Sequence, residues 1–233
     1  MKLNKDVGGV FLLNKPIGKT SNDCLNVIKK NLSRKTKIGY SGTLDKAASG
    51  ILPIGVGCGT KLLSAFTEYN KGYYFTIQWG VHTDTYDLTG KVIKANNKKP
   101  CLQSIYEGIE YFLKNYNIQT TPIYSSVKVN SMPAYKYALE DKPVIMPKRV
   151  VSIYELKLIK YINKRADFYV FCSKGTYIRT FAVDFAKHLS CIGSVARLIR
   201  IRVGDYTMKD TVKLAVSFSN MELMCYLGNK PQR

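Results

Sequence analysis

The chain has 233 residues, of which 45% are hydrophobic, and its formal net charge is +20 at pH 7. This length and hydrophobic fraction predict one large domain with a sizeable core. The longest apolar runs, Gly9 to Leu13 and Ile51 to Val56, are far shorter than the roughly 20 residues that a helix needs to cross a bilayer. No apolar signal-peptide core follows the N-terminus. We therefore expect no membrane association and a cytoplasmic location.

The excess of basic residues, 36 Lys and Arg against 16 Asp and Glu, predicts a polyanionic partner. A positive field attracts nucleic acid and gives an affinity that falls with salt concentration. The chain is also rich in Lys, Ile, Asn and Tyr, as an AT-biased genome would produce, so part of the charge has a mutational explanation. Nucleic acid remains the leading partner.

Cysteine and histidine do not occur in a metal-binding pattern. The six cysteines include no CxxC pair, and they lack the spacing of a disulfide framework or a zinc site. The two histidines, His82 and His188, are too few for a histidine-rich centre. We expect reduced thiols and no metal.

The first half of the chain alternates strands and helices. Val10 to Leu13 reads as a buried strand, and Thr20 with Asp23 has the spacing of a helix capping box. Because Pro53 interrupts the apolar run 51–56, we interpret that run as a helix end or an irregular segment, followed by a helix over 60–68. The pattern then predicts a strand over 73–79, a polar turn over 83–90, an extended segment at 92–93 and an amphipathic helix over 102–116.

The second half begins with a segment, 119–147, that has four prolines and no sustained period, and we interpret it as an excursion from the core. Strands are predicted at about 150–161 and 166–172, and a helix at 178–189. The stretch 195–203 alternates, which predicts a half-exposed strand with Arg200 and Arg202 on a basic outer face. A last helix is expected around Thr211 to Val216. The interleaved elements favour an α+β fold with a mixed sheet.

One carboxylate lies in a glycine-bounded loop of this basic chain, Asp45 in the run from Gly39 to Gly50. Glycines permit positive φ and close approach of the backbone to a ligand. An Asp in such a loop more often caps a turn, so the loop alone leaves a turn and a catalytic acid both open.

Four ordered segments resemble the bacterial tRNA pseudouridine-55 synthase family, known as TruB. They are Gly9 to Pro16 with Gly18, Thr20 and Ser21; the Asp45 loop; Lys71 to Tyr73; and Cys172 to Thr180. The resemblance implies a mixed, largely antiparallel central sheet of the pseudouridine synthase type, with flanking helices and an RNA-clasping insertion at about 119–147. It implies a catalytic domain over 1–205. The remaining 206–233 would be a short tail without a full C-terminal RNA-binding domain.

The resemblance also implies catalytic roles for three residues. Asp45 is the carboxylate that starts the detachment of uracil from its ribose, after which the base rejoins through carbon C5. Burial under a base would disfavour an ionised acid, so a countercharge is required, and Arg179 matches it. Tyr73 is the tyrosine that stacks on the uracil and handles the C5 proton. A carboxylate nucleophile needs no cofactor. Addition to the ribose, addition to the base and elimination all stay open.

Tyr177 and Leu198 correspond to residues of this family that line the pocket of a flipped base. Two further candidate contacts with the substrate are Tyr40, which could stack among displaced bases, and Lys15, which could contact phosphate. Further basic residues could also contact phosphate, namely Lys19, Arg34, Lys128, Arg200 and Arg202. The implied partner is the T-arm of tRNA, bound by a monomer.

The loop departs from the family at three positions. The family usually has His in place of Tyr40, Pro in place of Lys46 and Thr in place of Ser49. Tyr40 cannot supply a protonated imidazole, and Lys46 lacks the rigidity of proline after the acid. Two alternatives therefore stay open, a tRNA-binding or folding helper with little or no catalysis, and the same isomerisation on another RNA.

Overall fold

The structure of the protein is a computed structural model, and it describes residues 8–214. Its strands, in chain order, are β1 Gly9–Lys15, β2 Ile38–Tyr40, β3 Ala48–Val56, β4 Lys71–Trp79, β5 Val81–Thr83, β6 Val92–Ala95, β7 Ile118–Thr120, β8 Lys128–Val129, β9 Met132–Pro133, β10 Lys148–Val150, β11 Ile153–Ile162, β12 Arg165–Cys172, β13 Gly193–Val203, β14 Tyr206–Thr207 and β15 Thr211–Lys213. The α-helices are α1 Ser21–Lys29, α2 Leu63–Glu68, α3 Leu102–Asn115, α4 Ala134–Leu139 and α5 Ile178–His188, with 3-10 turns at Gly57–Leu62 and Met208–Asp210.

The chain divides into two compact units. Unit 1 contains the residues up to Lys71 and those from Ile199 onward, and unit 2 contains Gly72–Leu198. Both β4 and β13 cross a boundary between the units.

In unit 1 the strand order is β13-β3-β1-β15, with β2 also paired to β3 and β14 to β13. β1 and β3 are antiparallel over seven residue pairs, from Gly9 opposite Val56 to Lys15 opposite Gly50. Leu12, Ile51, Phe66 and Val203 form an apolar cluster. The capping box predicted at the start of α1 is confirmed, because Thr20 and Asp23 each bond to the other's backbone N–H.

The interpretation of the run 51–56 as a helix end or an irregular segment was wrong, since these residues belong to β3. The carbonyl of Pro53 accepts from the N–H of Ser41 at 3.0 Å. The N and C=O of one strand residue face the same side. An N–H at position 53 would therefore face the chain just past the end of β2. The pairing of Pro53 with Leu12 of β1 does not use this N–H, so a proline is tolerated here.

The end of the described chain also differs from the prediction. Thr211–Lys213 form β15, which lies parallel to β1, and not the first turn of a helix. The rest of the expected helix, including Val216, lies outside the described residues. Within the segment expected to be a tail, residues 206–213 therefore add strands to unit 1.

In unit 2 the strand order is β11-β12-β4-β13. Alternate residues of β4 and β12 are buried, among them Phe75, Ile77 and Phe168. Aromatic residues of α3 and α5 pack with them in the same core, and Phe112 meets Phe181 and Phe185 edge to face. Such offset and T-shaped contacts are the favoured geometries of aromatic rings. The predicted α+β fold with a mixed sheet is confirmed.

A segment of unit 2 leaves the sheet between α3 and β11. Its two ends pair as the antiparallel strands β7 and β10, from Ile118 opposite Val150 to Thr120 opposite Lys148. Between them lie the β8–β9 hairpin and α4. We call residues 118–150 the insertion. It includes the segment 119–147 that the prolines marked as an excursion.

Candidate active site

The loop that carries Asp45 connects β2 to β3 in unit 1 and is fixed on both sides of the acid. The hydroxyl of Ser21 accepts from the N–H of Leu44 at 3.0 Å and donates to the Leu44 carbonyl at 3.1 Å. After the acid, Gly18 donates to the carbonyl of Lys46 at 2.8 Å. The Asp45 carbonyl accepts from the N–H of Ala48 at 3.0 Å, which closes a turn. The carboxylate is half-buried on a restrained backbone.

Arg200 supports the same loop from β13. It is 2% exposed, and its guanidinium donates to the Ile51 carbonyl and to the Gly42 carbonyl, both at 2.7 Å. Gly42 and Gly50 have φ of +64° and +103°, and a Cβ on Gly50 would lie 2.2 Å from the Arg200 carbonyl oxygen. Both glycines are thus required by backbone conformation or close approach. The prediction that Arg200 belongs to a basic outer face was wrong.

Lys15, expected to contact phosphate, has a fully buried side chain. Its ammonium donates to the carbonyls of Pro16 and Lys19. Burial lowers the pKa of this amine from its ordinary value, and the charge of Arg200 acts in the same direction, while Cys24 and Asp45 act against it. Lys15 is thus a charged neighbour of Asp45 within unit 1, and in this structure it braces the turn that follows β1.

The departures from the family pattern lie around this loop. Tyr40 is half-buried at the end of β2, opposite Ile54 of β3. Lys46 is exposed, and Ser49 is half-buried within β3. The loop keeps an ordered turn after Asp45 without a proline, because the bonds of Ala48 and Gly18 hold the backbone there.

Arg179 lies in the first turn of α5 in unit 2 and is 5% exposed. Its guanidinium donates to the carbonyl of Thr85 at 2.7 Å and to the carbonyl of Tyr124 at 2.8 Å. The planar fork of an Arg can hold two such acceptors at once, which the point charge of a Lys cannot. These two bonds fix the place of the cation.

The two acceptors of Arg179 belong to segments that are themselves tied together. The hydroxyl of Tyr124, in the insertion, donates to the carboxylate of Asp84 at 3.2 Å. Asp87 accepts from the hydroxyl of Thr85 at 3.0 Å and from the N–H of Thr89 at 2.9 Å. The polar turn predicted over 83–90 is therefore a rigid support for Arg179.

Three aromatic or apolar residues of the predicted site also lie in unit 2. Tyr73, near the start of β4, is 8% exposed and belongs to the same apolar cluster as the partly buried Leu198. Tyr177 is the N-cap residue of α5, two residues before Arg179, and is half-buried. The guanidinium of Arg149 lies 5.3 Å from the centre of its ring.

Within unit 1 the structure thus brings together Asp45 and Lys15. Tyr40 lies at the end of β2, where the loop that carries Asp45 begins. Within unit 2, Arg179 and Tyr177 share the first turn of α5, and Tyr73 and Leu198 share one core. Sequence reasoning missed the supporting role of Arg200. It also assigned none to Ser21, although its place directly after the cap Thr20 was a usable signal.

None of the helices within 8–214 is long and apolar enough to cross a membrane. Over the same part of the chain, no group of three or more His, Cys, Asp or Glu side chains could hold a metal ion.

Comparisons with known proteins agree with the resemblance of the motifs. A family model described as TruB family pseudouridylate synthase, N-terminal domain, matches residues 29–178. The tRNA pseudouridine synthase B of Rickettsia akari is 40% identical over 202 residues, which cover 86% of this chain and 69% of that protein. The tRNA pseudouridine synthase B of Ehrlichia ruminantium is 38% identical over 224 residues, which cover 94% of this chain and 75% of that protein.

Among solved structures, a chain in the crystal structure of a Cbf5–Nop10–Gar1 complex matches with a TM-score of 0.69 and 23% identity. The match covers 90% of this chain and 53% of the other, so this chain spans about half the length of that one. The likeness supports the fold.

Fold and sequence together define a pseudouridine synthase, an isomerase that acts on uridine in RNA. The chain belongs to the TruB family of these enzymes. The family predicted from the four motifs is thereby confirmed.

Proposed function

We propose that this protein converts one uridine in the T-loop of tRNA, at position 55, to pseudouridine. Two of its relatives carry the name tRNA pseudouridine synthase B, and the net charge of +20 suits a polyanionic substrate. The T-arm is the substrate element, and the enzyme acts as a monomer in the cytoplasm.

Asp45 is the catalytic carboxylate in this proposal. It starts the cleavage of the bond between uracil N1 and the ribose, either by forming a covalent intermediate or by promoting elimination, and the detached base turns and bonds to the ribose through C5. Any bond between Asp45 and the substrate breaks again, which returns the free carboxylate. The proton on C5 is then lost to a base, the role we assign to Tyr73, and N1 gains a proton. The product is therefore an isomer of uridine, and the reaction needs no external reactant or cofactor.

Arg179 supplies the positive charge that keeps the catalytic carboxylate ionised when RNA excludes water. Desolvation favours the neutral acid, so an ionised Asp under a base requires a cation. Arg179 suits the role because the planar fork of an Arg matches a carboxylate and because the bonds to Thr85 and Tyr124 fix its guanidinium.

The substrate uridine must leave its stack to reach the carboxylate, at a cost of a few kcal/mol. In the proposal Tyr177 and Leu198 line the pocket that receives the base, and Tyr40 stacks where the base has left. The insertion, residues 118–150, contacts the T-arm together with exposed basic residues. Because Lys15 is buried, its part is to brace the Asp45 loop and to bind phosphate only after a local rearrangement.

The restraint of the Asp45 loop is the observation that carries the proposal. Ser21, Gly18 and Arg200 bind backbone groups on both sides of the acid. A turn that merely connects β2 to β3 does not need a buried arginine. A fixed carboxylate is what a reaction with a flipped base requires, since misplacement by about 1 Å can cost roughly 100-fold in rate.

The test is the incubation of the purified protein with unmodified tRNA, an isolated T-arm hairpin and ribosomal RNA, followed by mapping of pseudouridine. The proposal predicts a single product at the T-loop uridine in both tRNA and the hairpin. Product in ribosomal RNA alone would move the activity to another RNA. Binding of tRNA without product would favour the helper with no catalysis and would overturn the proposal.

A further inference from the structure

Gln119, at the base of the insertion, holds both backbone groups of Tyr177. Its side-chain oxygen accepts from the N–H of Tyr177 at 2.7 Å, and its Nε2 donates to the carbonyl of Tyr177 at 3.0 Å. Gln119 is 1% exposed. A buried side chain that satisfies a donor and an acceptor of one residue acts like a strand partner and restrains that residue in position and orientation.

The orientation of the Gln119 amide is fixed by a third bond. Its Nε2 also donates to the hydroxyl of Tyr116 at 2.9 Å, and that hydroxyl donates to the carboxylate of Asp184 at 2.6 Å. An amide nitrogen has two hydrogens, and both are used here. Turning the amide over would break all three bonds, so the network admits one orientation.

Arg149 holds the side chain of the same tyrosine. It lies directly opposite Gln119 in the β7–β10 pair, and its guanidinium lies 5.3 Å from the centre of the Tyr177 ring, within cation–π range. One cross-strand pair at the base of the insertion thus holds Tyr177 by its backbone and by its ring.

The position of Tyr177 determines that of the first turn of α5. Tyr177 is the N-cap residue, its side chain makes no capping bond, and its carbonyl accepts from the N–H of Phe181 at 2.9 Å. Arg179 lies two residues further in this turn. The insertion also contacts Arg179 directly, because the Arg179 guanidinium donates a hydrogen bond to the carbonyl of Tyr124.

We propose that Gln119 is a positioning residue for the isomerisation, which holds Tyr177 and, through the start of α5, the guanidinium of Arg179. The inference rests on the proposed function of those two residues. It gives the insertion a role in catalysis besides contact with RNA, because its two end strands carry the pair that orders the α5 turn.

The experiment compares Gln119→Met and Gln119→Glu with the wild-type protein in steady-state kinetics on the T-arm hairpin. Q119M keeps the side-chain length but loses all three bonds, and Q119E keeps the acceptor for the Tyr177 N–H. We expect kcat to fall on the order of 10- to 100-fold in Q119M and by less in Q119E, with KM within about 3-fold of the wild type.

Gln78→Leu is the matched control. Gln78 is also a glutamine of unit 2, although it is half-buried and not fully buried, and it bonds to the carbonyl of Lys164 at 3.2 Å and to Arg165 at 2.9 Å. Q78L should lower the melting temperature with unchanged kcat. If kcat falls in proportion to the melting temperature in both Q78L and Q119M, the role of Gln119 is merely structural.

Hydrogen exchange over residues 173–181 gives a readout that does not depend on activity. The Tyr177 amide should exchange faster in Q119M than in the wild type and should be unchanged in Q78L. If wild type and Q78L make pseudouridine and both Gln119 variants keep wild-type kcat and exchange, the positioning role is overturned and the proposed function stands. If the wild type makes no product, the proposed function fails, and the exchange result alone decides whether Gln119 orders the turn.

Discussion

Ser21 binds Leu44 through both backbone groups of the leucine, 23 positions away in the chain. Ser21 is 1% exposed, so these bonds are shielded from water. Leu44 directly precedes Asp45, the carboxylate that we propose to be catalytic. The first residue of α1 therefore fixes the backbone from which the carboxylate projects.

Replacing Ser21 with Ala should destabilise the protein and slow the reaction. The change leaves a buried N–H and a buried carbonyl of Leu44 without this partner, which costs about 1–3 kcal/mol. We expect kcat to fall by roughly 10-fold, because the loop loses a restraint on the acid. Urea unfolding and kinetics on the T-arm hairpin measure the two effects. Ser33→Ala, which removes an exposed hydroxyl bonded to Thr36, serves as the control and should change neither.

Arg200→Lys tests the buried support of the loop. A lysine cannot reach the Gly42 and Ile51 carbonyls with the fork of a guanidinium, so we expect a loss of about 2 kcal/mol in the free energy of unfolding. Arg197→Lys changes an exposed residue of the same strand and should leave the unfolding midpoint unchanged. Equal stability of R200K and R197K would contradict the structural role of Arg200.

Local chemistry made part of the fold predictable from sequence. The capping box of Thr20 and Asp23 was predicted and is present, because a cap depends on residues three apart and on nothing distant. The amphipathic periods of α3 and α5 were likewise visible. Pro53 was misread because tolerance of proline in a strand depends on which neighbour its missing N–H would face, and that is set by where β2 ends.

The site was predictable where a motif carried it and not where long-range contacts did. Asp45 lies in an ordered glycine-bounded loop, and Gly42 and Gly50 have the positive φ that the pattern suggested. Arg200 was misread because alternation along a strand shows two faces but does not show that a buried arginine can bond to carbonyls on a neighbouring segment. Gln119 gave no local signal, since its partner Tyr177 lies 58 positions away.

Arg179→Lys should abolish most activity while the fold survives. A lysine keeps the positive charge but lacks the planar fork that donates to the carbonyls of Thr85 and Tyr124. Its charge is therefore not fixed in the same place. We expect kcat to fall on the order of 100-fold. Single-turnover formation of pseudouridine with saturating enzyme measures it. Arg165→Lys is the control, because Arg165 lies at the start of β12 and bonds to Gln78 of β4. This variant should keep the wild-type rate. Wild-type activity of R179K would remove Arg179 from the proposed machinery.

Asp184→Asn should change how stability depends on pH. Burial raises the pKa of this carboxyl above its ordinary value of 3.8, although Tyr116 and Lys187 act in the opposite direction. The folded state therefore binds more protons than the unfolded state between 3.8 and the raised value, so the contribution of Asp184 to stability is present below this window and is lost as pH rises through it.

An asparagine does not titrate and can still accept from the Tyr116 hydroxyl. The melting temperature of D184N minus that of the wild type should therefore be more positive at pH 7 than at pH 4. Thermal unfolding at both pH values measures the difference, in which the titration of other groups cancels. A difference that stays constant, or that becomes more negative as pH rises, would contradict the assigned direction.

Single-turnover conversion of the T-arm uridine by Asp45→Asn tests the central claim most directly. Asn keeps the size of the side chain but removes the charge and the nucleophile, so we expect the rate to fall on the order of 1,000-fold or more with the melting temperature nearly unchanged. Asp23→Asn, an exposed capping residue of the same unit, is the matched control and should keep the wild-type rate. Pseudouridine formed by D45N at the wild-type rate would show that Asp45 is not the catalytic carboxylate.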